Sequence, residues 1–420
     1  MVMKDLQVAI IGLGYIGLPL AISLSKFFRT TGYDLNQKRI NELRNGIDRT
    51  EEISKSEIKS KKNLVFTSNI QDIKNANFYI IAVQSPIGKN KNPDFRPLIK
   101  VCEDLSKIIK KNDICVFEST VYPGATEEVL IPIIEKKTNY KFNSDFFVGY
   151  SPERINPGDK IRSLENITKV ISGSDKKTTK VIYNVYRKII NAGLHVASSI
   201  KVAEASKVVE NVQRDLNIAL INELSMIFNK MKINTREVLD ASSTKWNFTK
   251  YEPGLVGGHC IGVDPYYLTY KSKKLGLFPN VILSGRKIND KMHEFIGNKF
   301  IKNFSTKYNR FFTSEHYLIA KDRSLKMMDR IDDMSIMSRL DREAVFNMTV
   351  IWTLSRFEKT LPDALISVEN PHTHIHYTIL QICDFLNIPC LKFNAWTPLP
   401  ILSLSNALNG KIINTKTNKH

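Results

Sequence analysis

The chain has 420 residues, which at about 100–200 residues per domain predicts two or three domains. Its hydrophobic (42%) and charged (25%) fractions exclude a largely disordered protein, and its 19 glycines and 16 prolines are too few for a collagen-like one. The net charge of +19 favours anionic partners; because the basic residues are spread out without interleaved aromatics, we expect small phosphorylated ligands and no nucleic acid. The five cysteines form no C-x-x-C pair, which argues against a structural zinc site and favours a reducing, cytoplasmic setting.

An uncharged stretch from Val8 to Ser25 is long enough to suggest a membrane span or a signal peptide. Gly12, Gly14, Gly17 and Pro19 interrupt it, and no small-x-small cleavage site precedes the basic residues that follow. We therefore expect neither a secretory leader nor a membrane span.

A glycine-rich turn follows the first predicted strand, Leu6–Ile11, and opens an apolar helix. In Gly12-Leu13-Gly14-Tyr15-Ile16-Gly17 the first glycine permits a tight turn, the second lets backbone approach a pyrophosphate, and the third lets helix pack on strand. Asp34 follows a second strand at about the 20-residue distance where a carboxylate accepts ribose hydroxyls. The pattern predicts NAD binding; NADP is disfavoured because its 2′-phosphate would meet that carboxylate. The alternative is that the glycines serve packing alone.

Three further strands are predicted at Phe78–Val83, Ile114–Glu118 and Phe146–Tyr150, separated by helices, which indicates a doubly wound sheet. Polar residues follow each strand, where such sheets bind ligands. These residues are Gln84-Ser85-Pro86, Ser119-Thr120 and Ser151-Pro152-Glu153. Turn chemistry alone would also place polar residues there.

Residues Val202–Lys232 have helical periodicity without glycine or proline. Within them Glu204, Lys207 and Asn211 are spaced to share one face. This face is either a solvated surface or, beside a cleft, a source of hydrogen-bond donors to a developing oxyanion.

A cysteine follows two glycines in Gly257-Gly258-His259-Cys260, and Asp264 follows four residues later. A lone cysteine is usually a small buried hydrophobe. The flanking glycines, histidine and acid favour instead an accessible nucleophile.

From Gln7 to about Lys302 the chain resembles the UDP-glucose/GDP-mannose dehydrogenase family, and within it the bacterial UDP-N-acetyl-D-glucosamine/galactosamine 6-dehydrogenases. Besides the glycine turn and the Cys260 loop, the resemblance rests on residues 151–159 (SPERINPGD), 207–215 (KVVENVQRD) and 245–248 (KWNF). It implies a four-electron oxidation of a sugar C6 alcohol to a carboxylate by two NAD+ in turn, for cell-surface polysaccharide synthesis.

The resemblance also implies roles for individual residues. Cys260 matches the nucleophile that forms a thiohemiacetal and then a thioester. Lys207 and Asn211 match donors to the C6 oxygen, and Asp264 and Thr120 match residues that hold the catalytic water. Glu153 matches a carboxylate implicated in water activation or at the oxidised centre.

Two binding sites follow from the same resemblance, and no metal is expected. The implied cofactor site comprises Gly12, Gly14, Tyr15, Ile16, Gly17, Asp34, Arg39, Val83 and Thr120. The implied substrate site, for a UDP-sugar, comprises Glu153, Arg154, Lys207, Asn211, Gly257 and Arg286. A homodimer through the long helix is also implied.

The predicted fold class is α/β, in three parts. They are an NAD-binding Rossmann-like domain with a doubly wound sheet (1–200), a central helical domain carrying the catalytic cysteine (201–302) and an atypical carboxyl-terminal α/β segment (303–420). The family continues with a UDP-binding domain, and the chain lacks its characteristic opening strand after residue 302. It also has Val83-Gln84-Ser85-Pro86 where the family has Val-Pro-Thr-Pro.

The carboxyl-terminal segment predicts a strand at Ala364–Val368, a helix at Tyr377–Leu386 and a strand at Ile388–Phe393. His372, His374 and His376 alternate before that helix, but apart from Glu369 no nearby cysteine or carboxylate completes a metal site.

Two functions are left open. The first is the dehydrogenase. The second is a catalytically silent NAD-binding protein, a fusion or remnant without the UDP-binding domain. A separate sugar-transfer role for the carboxyl-terminal segment is disfavoured because the segment is short.

Overall fold

The structure is a computed structural model. It describes residues 5–88, 90–155, 162–257, 259–303 and 310–331, and beyond them the short stretches 342–343, 346–347, 349–350, 353–354, 365–367, 374–386, 388, 390–393, 402–405 and 412–413. The chain divides into two compact units. The first comprises Met1–Ile221 and Gly258–Lys287, and the second comprises Asn222–Gly257 and Ile288–His420. The predicted boundaries at residues 200 and 302 stay predictions.

The first unit is built on one sheet of eight strands. The strands are β1 (Gln7–Ile11), β2 (Arg29–Tyr33), β3 (Leu64–Thr67), β4 (Phe78–Ile81), β5 (Ile114–Phe117), β6 (Phe147–Tyr150), β7 (Lys169–Gly173) and β8 (Leu194–Val196). Their order is β3-β2-β1-β4-β5-β6-β7-β8; β1 to β6 are parallel, and β7 is antiparallel to β6. This order is that of a doubly wound sheet, so the predicted fold class is confirmed.

The central strands are nearly continuous apolar runs because helices cover both faces of the sheet. Every residue of β4 and β5 is buried. One core cluster includes Tyr79, Phe117 and Tyr150, and a second includes Ile10 and Val116. Neighbouring residues of one strand thus pack into different layers. The predicted strands at these positions are confirmed to within two residues at their ends.

The helices, in chain order, are α1 (Gly17–Leu24), α2 (Gln37–Arg44), α3 (Lys55–Lys59), α4 (Arg96–Leu105), α5 (Ile131–Thr138), α6 (Lys176–Tyr186), α7 (Ile200–Met231), α8 (Thr235–Ser242), α9 (His259–Lys274), α10 (Asn280–Asn303), α11 (Glu315–Ile331) and α12 (His374–Phe385). The long helix expected at 202–232 is confirmed as α7, which has 32 residues. No helix in the described stretches has the length and apolar character needed to cross a membrane.

The second unit holds α8, α11, α12 and a smaller sheet of β9 (Leu365–Ser367), β10 (Cys390–Phe393), β11 (Leu402–Ser405) and β12 (Ile412–Ile413). β9 and β10 are parallel and flank α12, so the predicted strand–helix–strand unit is confirmed. Phe311, Phe346 and Ile382 are fully buried in the core of this unit. His374 and His376 lie in the first turn of α12, and His372 lies outside the described residues.

Candidate active site

The glycine turn between β1 and α1 leaves no room for side chains at two of its three glycines. Gly12 has φ +93°, and a Cβ there would lie 2.8 Å from the Ala82 carbonyl oxygen. A Cβ on Gly17 would lie 1.8 Å from the Gly12 oxygen, whereas one on Gly14 would meet nothing within 4 Å. Packing therefore explains the first and third glycines. Gly14 faces open space, as it must where backbone approaches a phosphate.

Asp34 and Arg39 hold this turn from the end of β2 and from α2. Asp34 accepts hydrogen bonds from the backbone N–H groups of Leu13 and Asn36, both at 2.9 Å. Arg39 Nε donates to the Leu13 carbonyl at 2.9 Å, and its Nη2 pairs with Asp48 at 2.7 Å. Burial opposes ionisation of Asp48, but hydrogen bonds from Thr50 and Arg39 outweigh it and hold the pKa of that carboxyl below its usual value.

An unpaired buried donor beside the glycine turn is consistent with a bound dinucleotide. Arg39 Nη1 is buried without a hydrogen-bond partner among the described residues, close to the point where Arg39 grips the turn. A buried guanidinium donor left without an acceptor is costly unless a ligand oxygen meets it. Tyr15 and Ile16 are half-buried on the same turn.

The ends of β4 and β5 are tied together beside the turn. Ser119 Oγ donates to the Val83 carbonyl at 2.6 Å, and Tyr267 Oη donates to the Ser85 carbonyl at 2.6 Å. Thr120 is half-buried next to Ser119. The segment that departs from the family pattern is thus fixed by hydrogen bonds to its carbonyl groups, which need no proline.

Glu153, just after β6, is a buried carboxylate whose two oxygens differ. Oε1 accepts the backbone N–H groups of Arg154 and Ile155, both at 2.6 Å, whereas Oε2 has no hydrogen-bond partner among the described residues. Burial favours the neutral acid, but Lys169, Lys207 and these N–H groups outweigh it and keep the pKa of Glu153 below its ordinary value. The result is a buried anion with one oxygen available to a ligand.

Lys207 and Asn211 of α7 both act on Asp264 of α9, Lys207 through its charge and Asn211 through a hydrogen bond. The predicted common face of α7 is confirmed, because Glu204, Lys207 and Asn211 are all buried. Lys207 Nζ donates to the Glu153 carbonyl at 2.7 Å, and Asn211 Nδ2 donates to Asp264 Oδ2 at 2.5 Å. A lysine ammonium has three protons, so Lys207 keeps donors for another acceptor.

Asp264 is 1% exposed, and its Oδ1 has no hydrogen-bond partner within the part of the chain that the structure describes. Burial raises the pKa of Asp264 to about 6, against opposing effects of Lys207, Asn211 and Arg214. Arg214 in turn donates to Asn211 Oδ1. A carboxylate with this pKa can take up or release a proton near neutral pH, as a general base must.

Glu204, the first residue of the predicted face, has a separate partner. Its carboxylate accepts the backbone N–H of Gly124 at 2.5 Å and that of Thr126 at 3.0 Å, where the chain enters the turn before α5. Burial raises its pKa to about 7 despite these hydrogen bonds. It therefore supports the segment that follows Thr120.

Two predicted substrate residues are arginines held in ion pairs. Arg154 pairs with Glu210 of α7 at 2.9 Å, and its Nη1 donates to the Thr168 carbonyl at 2.7 Å. Arg286 pairs with the buried Asp215 at 2.7 Å and lies 5.7 Å from the centre of the Tyr266 ring. Both guanidinium groups are thereby oriented by α7 or its neighbours.

Cys260 lies in the first turn of α9, one turn before Asp264. Its side chain and Gly258 fall outside the described residues. Gly257 ends the preceding loop, and a Cβ there would meet nothing within 4 Å. By contrast Cys102 is buried in the sheet core, where burial raises its pKa to about 12, so it cannot supply a thiolate.

The buried pair Glu118–Lys169, which lies beside Glu153, was not predicted from the sequence. Lys169 Nζ, at the start of β7, lies 2.9 Å from Glu118 Oε2 and 3.5 Å from Glu153 Oε2. Tyr186 Oη also donates to Glu118. One feature of the sequence could have pointed to Glu118, because a carboxylate at the end of an otherwise apolar buried strand is unusual. No such feature pointed to Lys169.

Known proteins match this chain over residues 6–190 and 201–291. Residues 6–190 match the NAD-binding domain of the UDP-glucose/GDP-mannose dehydrogenase family, and residues 201–291 match its central domain. The chain is 55% identical over 300 residues to a UDP-N-acetyl-D-glucosamine 6-dehydrogenase of Pseudomonas aeruginosa, covering 71% of each protein.

Two solved structures are also similar. The UDP-N-acetyl-mannosamine dehydrogenase Cap5O of Staphylococcus aureus has 29% identity and a TM-score of 0.62 over 72% of this chain and 73% of its own. A UDP-D-ManNAc dehydrogenase of Pyrococcus horikoshii has a TM-score of 0.65 over 92% of this chain and 83% of its own; at 24% identity it supports the fold alone.

Proposed function

The chain belongs to the UDP-glucose/GDP-mannose dehydrogenase family of NAD-dependent nucleotide-sugar dehydrogenases, and from this premise we propose that it oxidises the C6 alcohol of a UDP-N-acetylhexosamine to the uronic acid. The observation that carries the proposal is the buried group Lys207–Asn211–Asp264, one helical turn from Cys260. The N-acetyl preference is taken from the relative at 55% identity, which is named for UDP-N-acetyl-D-glucosamine.

The first oxidation removes a proton from the C6 hydroxyl and a hydride from C6. The glycine turn, Asp34 and Arg39 would hold NAD+, which would supply the hydride acceptor. Lys207 and Asn211 stabilise the negative charge that develops on the oxygen, since charge-assisted donors in a dry site lower such barriers. Their attachment to Glu153 and Asp264 fixes both donors in place before substrate binds.

The second oxidation uses Cys260 as the nucleophile. Its thiolate adds to the C6 aldehyde to give a thiohemiacetal. Loss of the hydroxyl proton and of a second hydride, for which a second NAD+ would be the acceptor, gives a thioester, and water hydrolyses it to the carboxylate with release of the thiolate. Asp264 Oδ1 and Glu153 Oε2 are buried carboxylate oxygens without a described hydrogen-bond partner, and we assign to them the proton released by that water. Covalent capture prevents escape of the aldehyde.

We also propose a homodimer through α7, in which a second copy of this chain covers an apolar stripe. Exposed residues of α7 recur at intervals that keep them on one face of the helix. They are Val202, Val209, Leu220, Ile227 and Met231, each between 45% and 58% exposed.

The experiment that tests the substrate class compares kcat/KM of the purified chain for UDP-GlcNAc, UDP-GalNAc and UDP-glucose, with the carboxylated product identified by mass spectrometry. We expect an N-acetylated sugar to be preferred. Preference for UDP-glucose would contradict the assigned substrate. NAD binding without turnover of any of these sugars would favour the alternative, a catalytically silent NAD-binding protein.

A further inference from the structure

A buried ionic cluster surrounds Glu153, and the members other than Glu153 have no predicted role. Glu118 directly follows β5, Lys169 begins β7, and Tyr186 ends α6; with Glu153 they form a cluster whose members are all less than 5% exposed. Two carboxylates and one ammonium share this space, so the cluster carries more negative than positive charge when both acids are ionised.

Lys169 is the centre of the cluster. Its Nζ lies 2.9 Å from Glu118 Oε2, 3.5 Å from Glu153 Oε2 and 3.4 Å from the Pro152 carbonyl oxygen. Tyr186 Oη donates to the other oxygen of Glu118. Glu118 is therefore satisfied from both sides, and it anchors the ammonium of Lys169 beside Glu153.

Lys169 forms an ion pair with Glu153 at the carboxylate oxygen that has no hydrogen-bond partner among the described residues. Glu153 Oε1 is occupied by two backbone N–H groups, while Oε2 faces the ammonium at 3.5 Å without a hydrogen bond from any described residue. The charged groups that act on Glu153 come from separate elements: Lys169, Lys207 and Glu118, with the Tyr186 hydroxyl beside Glu118.

We propose that Lys169, anchored by Glu118, is a positioning residue that keeps the Glu153 carboxylate ionised and its Oε2 free to accept a proton in the reaction. What that proton transfer accomplishes rests on the proposed function; the ionisation state itself can be measured without turnover.

The physical reason is competition between two buried carboxylates. Without a cation between them, like charges in a low-dielectric site cannot both ionise easily, and one takes up a proton. Lys207 also acts on Glu153, but its hydrogen bond goes to the backbone carbonyl of that residue, so Lys169 is the described cation in contact with the carboxylate itself. The removal of Lys169 should therefore raise the pKa of Glu153, and the removal of the Glu118 charge should lower it. Burial already raises the pKa of Glu118, so Glu118 competes for the same proton, and the effect of Lys169 on Glu153 is isolated when Glu118 is replaced as well.

The test titrates Glu153 directly in the full-length protein. Glutamate labelled with 13C at Cδ is incorporated, and the Glu153 resonance is assigned by its loss in Glu153→Gln. In Lys169→Met we expect the apparent pKa of Glu153 to rise by about 1–3 units, the effect typical of a neighbouring opposite charge. Lys169→Arg is the matched control. Because the charge is kept, the apparent pKa of Glu153 in this variant should stay within about half a unit of its wild-type value.

Glu118→Gln should lower the apparent pKa of Glu153, since it removes a like charge. Opposite displacements in Lys169→Met and Glu118→Gln cannot come from general loosening of the site. The double variant Lys169→Met/Glu118→Gln, which has no unpaired carboxylate at 118, is also compared with Glu118→Gln. The pair differs only at Lys169, and the double variant should have the higher apparent pKa.

The comparison of Lys169→Met/Glu118→Gln with Glu118→Gln is made whether or not Lys169→Met folds, and an unchanged Glu153 titration between these two variants would overturn the inference. Turnover of the same preparations separates the two claims. If wild type oxidises the UDP-sugar, Lys169→Met should lose kcat at least about tenfold with little change in KM for either substrate. If wild type is inactive yet the titration shifts as expected, the proposed function fails and the electrostatic role of Lys169 stands.

Discussion

Asn211 donates its side-chain amide to one oxygen of Asp264 at 2.5 Å and leaves the other oxygen buried without a described partner. Because Arg214 donates to Asn211 in turn, the amide of Asn211 cannot rotate without the loss of a charge-assisted hydrogen bond. The orientation of Asp264 is thus set by α7, although Asp264 itself lies in α9.

Replacement of Asp264 by asparagine should lower kcat by about 10²–10⁴-fold, the range typical of a lost general base. In wild type kcat should fall below a pH near 6, because burial raises the pKa of Asp264 to about 6 and only the ionised form accepts a proton. The measurement is kcat against pH. Asp240→Asn, which removes an exposed acid of α8, is the control and should change neither kcat nor its dependence on pH. A wild-type profile with no change near pH 6 would remove Asp264 from the role of base.

The predicted cofactor turn can be tested with two glycines that differ in the space around them. Gly14→Ala should fold and bind NAD at least about tenfold more weakly, because its Cβ meets only open space in the protein and would meet the ligand. Gly17→Ala should lower the free energy of unfolding by about 3 kcal/mol or more, since its Cβ would overlap the Gly12 carbonyl. Thermal unfolding and NAD titration separate the two outcomes. Normal NAD affinity in Gly14→Ala would argue that the glycines serve packing alone.

Arg39→Lys should weaken NAD binding by about tenfold or more. Lysine keeps the positive charge beside Asp48, but it lacks the guanidinium N–H groups that bond the Leu13 carbonyl and that the proposed site offers to NAD. Arg49→Lys is the matched control, since Arg49 pairs with Glu42 at the surface. Equal NAD affinities for the two variants, measured by calorimetry, would exclude Arg39 from the cofactor site.

The sequence could predict the parts of the site that depend on local spacing. Gly12 and the common face of Lys207 and Asn211 follow from spacing within one turn or one helix, and Asp34 follows from its distance after the glycine turn along one strand–helix–strand unit. The Glu118–Lys169 pair does not, because its members are 51 residues apart and meet only through the order of β5, β6 and β7. The role of Glu204 was also hidden, since its partners are backbone N–H groups, which every residue but proline carries.

Glu204 should make stability depend on pH. Its folded pKa of about 7 lies above its ordinary value of 4.5, so the folded state binds the extra proton and stability falls as pH rises from 4.5 to 7. The fall attributable to this group is about 3 kcal/mol. The free energy of unfolding of wild type minus that of Glu204→Gln, from urea titrations, should therefore decrease across this interval. A constant difference would show that Glu204 does not titrate there.

The proposed dimer can be tested on the stripe of α7. Val209→Lys should convert a dimer into a monomer, since a charge at a buried apolar contact is left without a partner. Val65→Lys is the control, because Val65 is 61% exposed on the edge strand β3, away from α7. Sedimentation equilibrium gives the masses. A monomeric wild type, or a Val209→Lys variant that stays dimeric, would refute the interface.

The central claim is that this chain completes both oxidations of a UDP-sugar through Cys260, and the stoichiometry of NADH tests it most directly. With limiting UDP-N-acetylhexosamine and excess NAD+, the account predicts two NADH per sugar consumed. Cys260→Ala should bind NAD normally and fail to form the carboxylate. One NADH per sugar, or two in the Cys260→Ala variant, would contradict it.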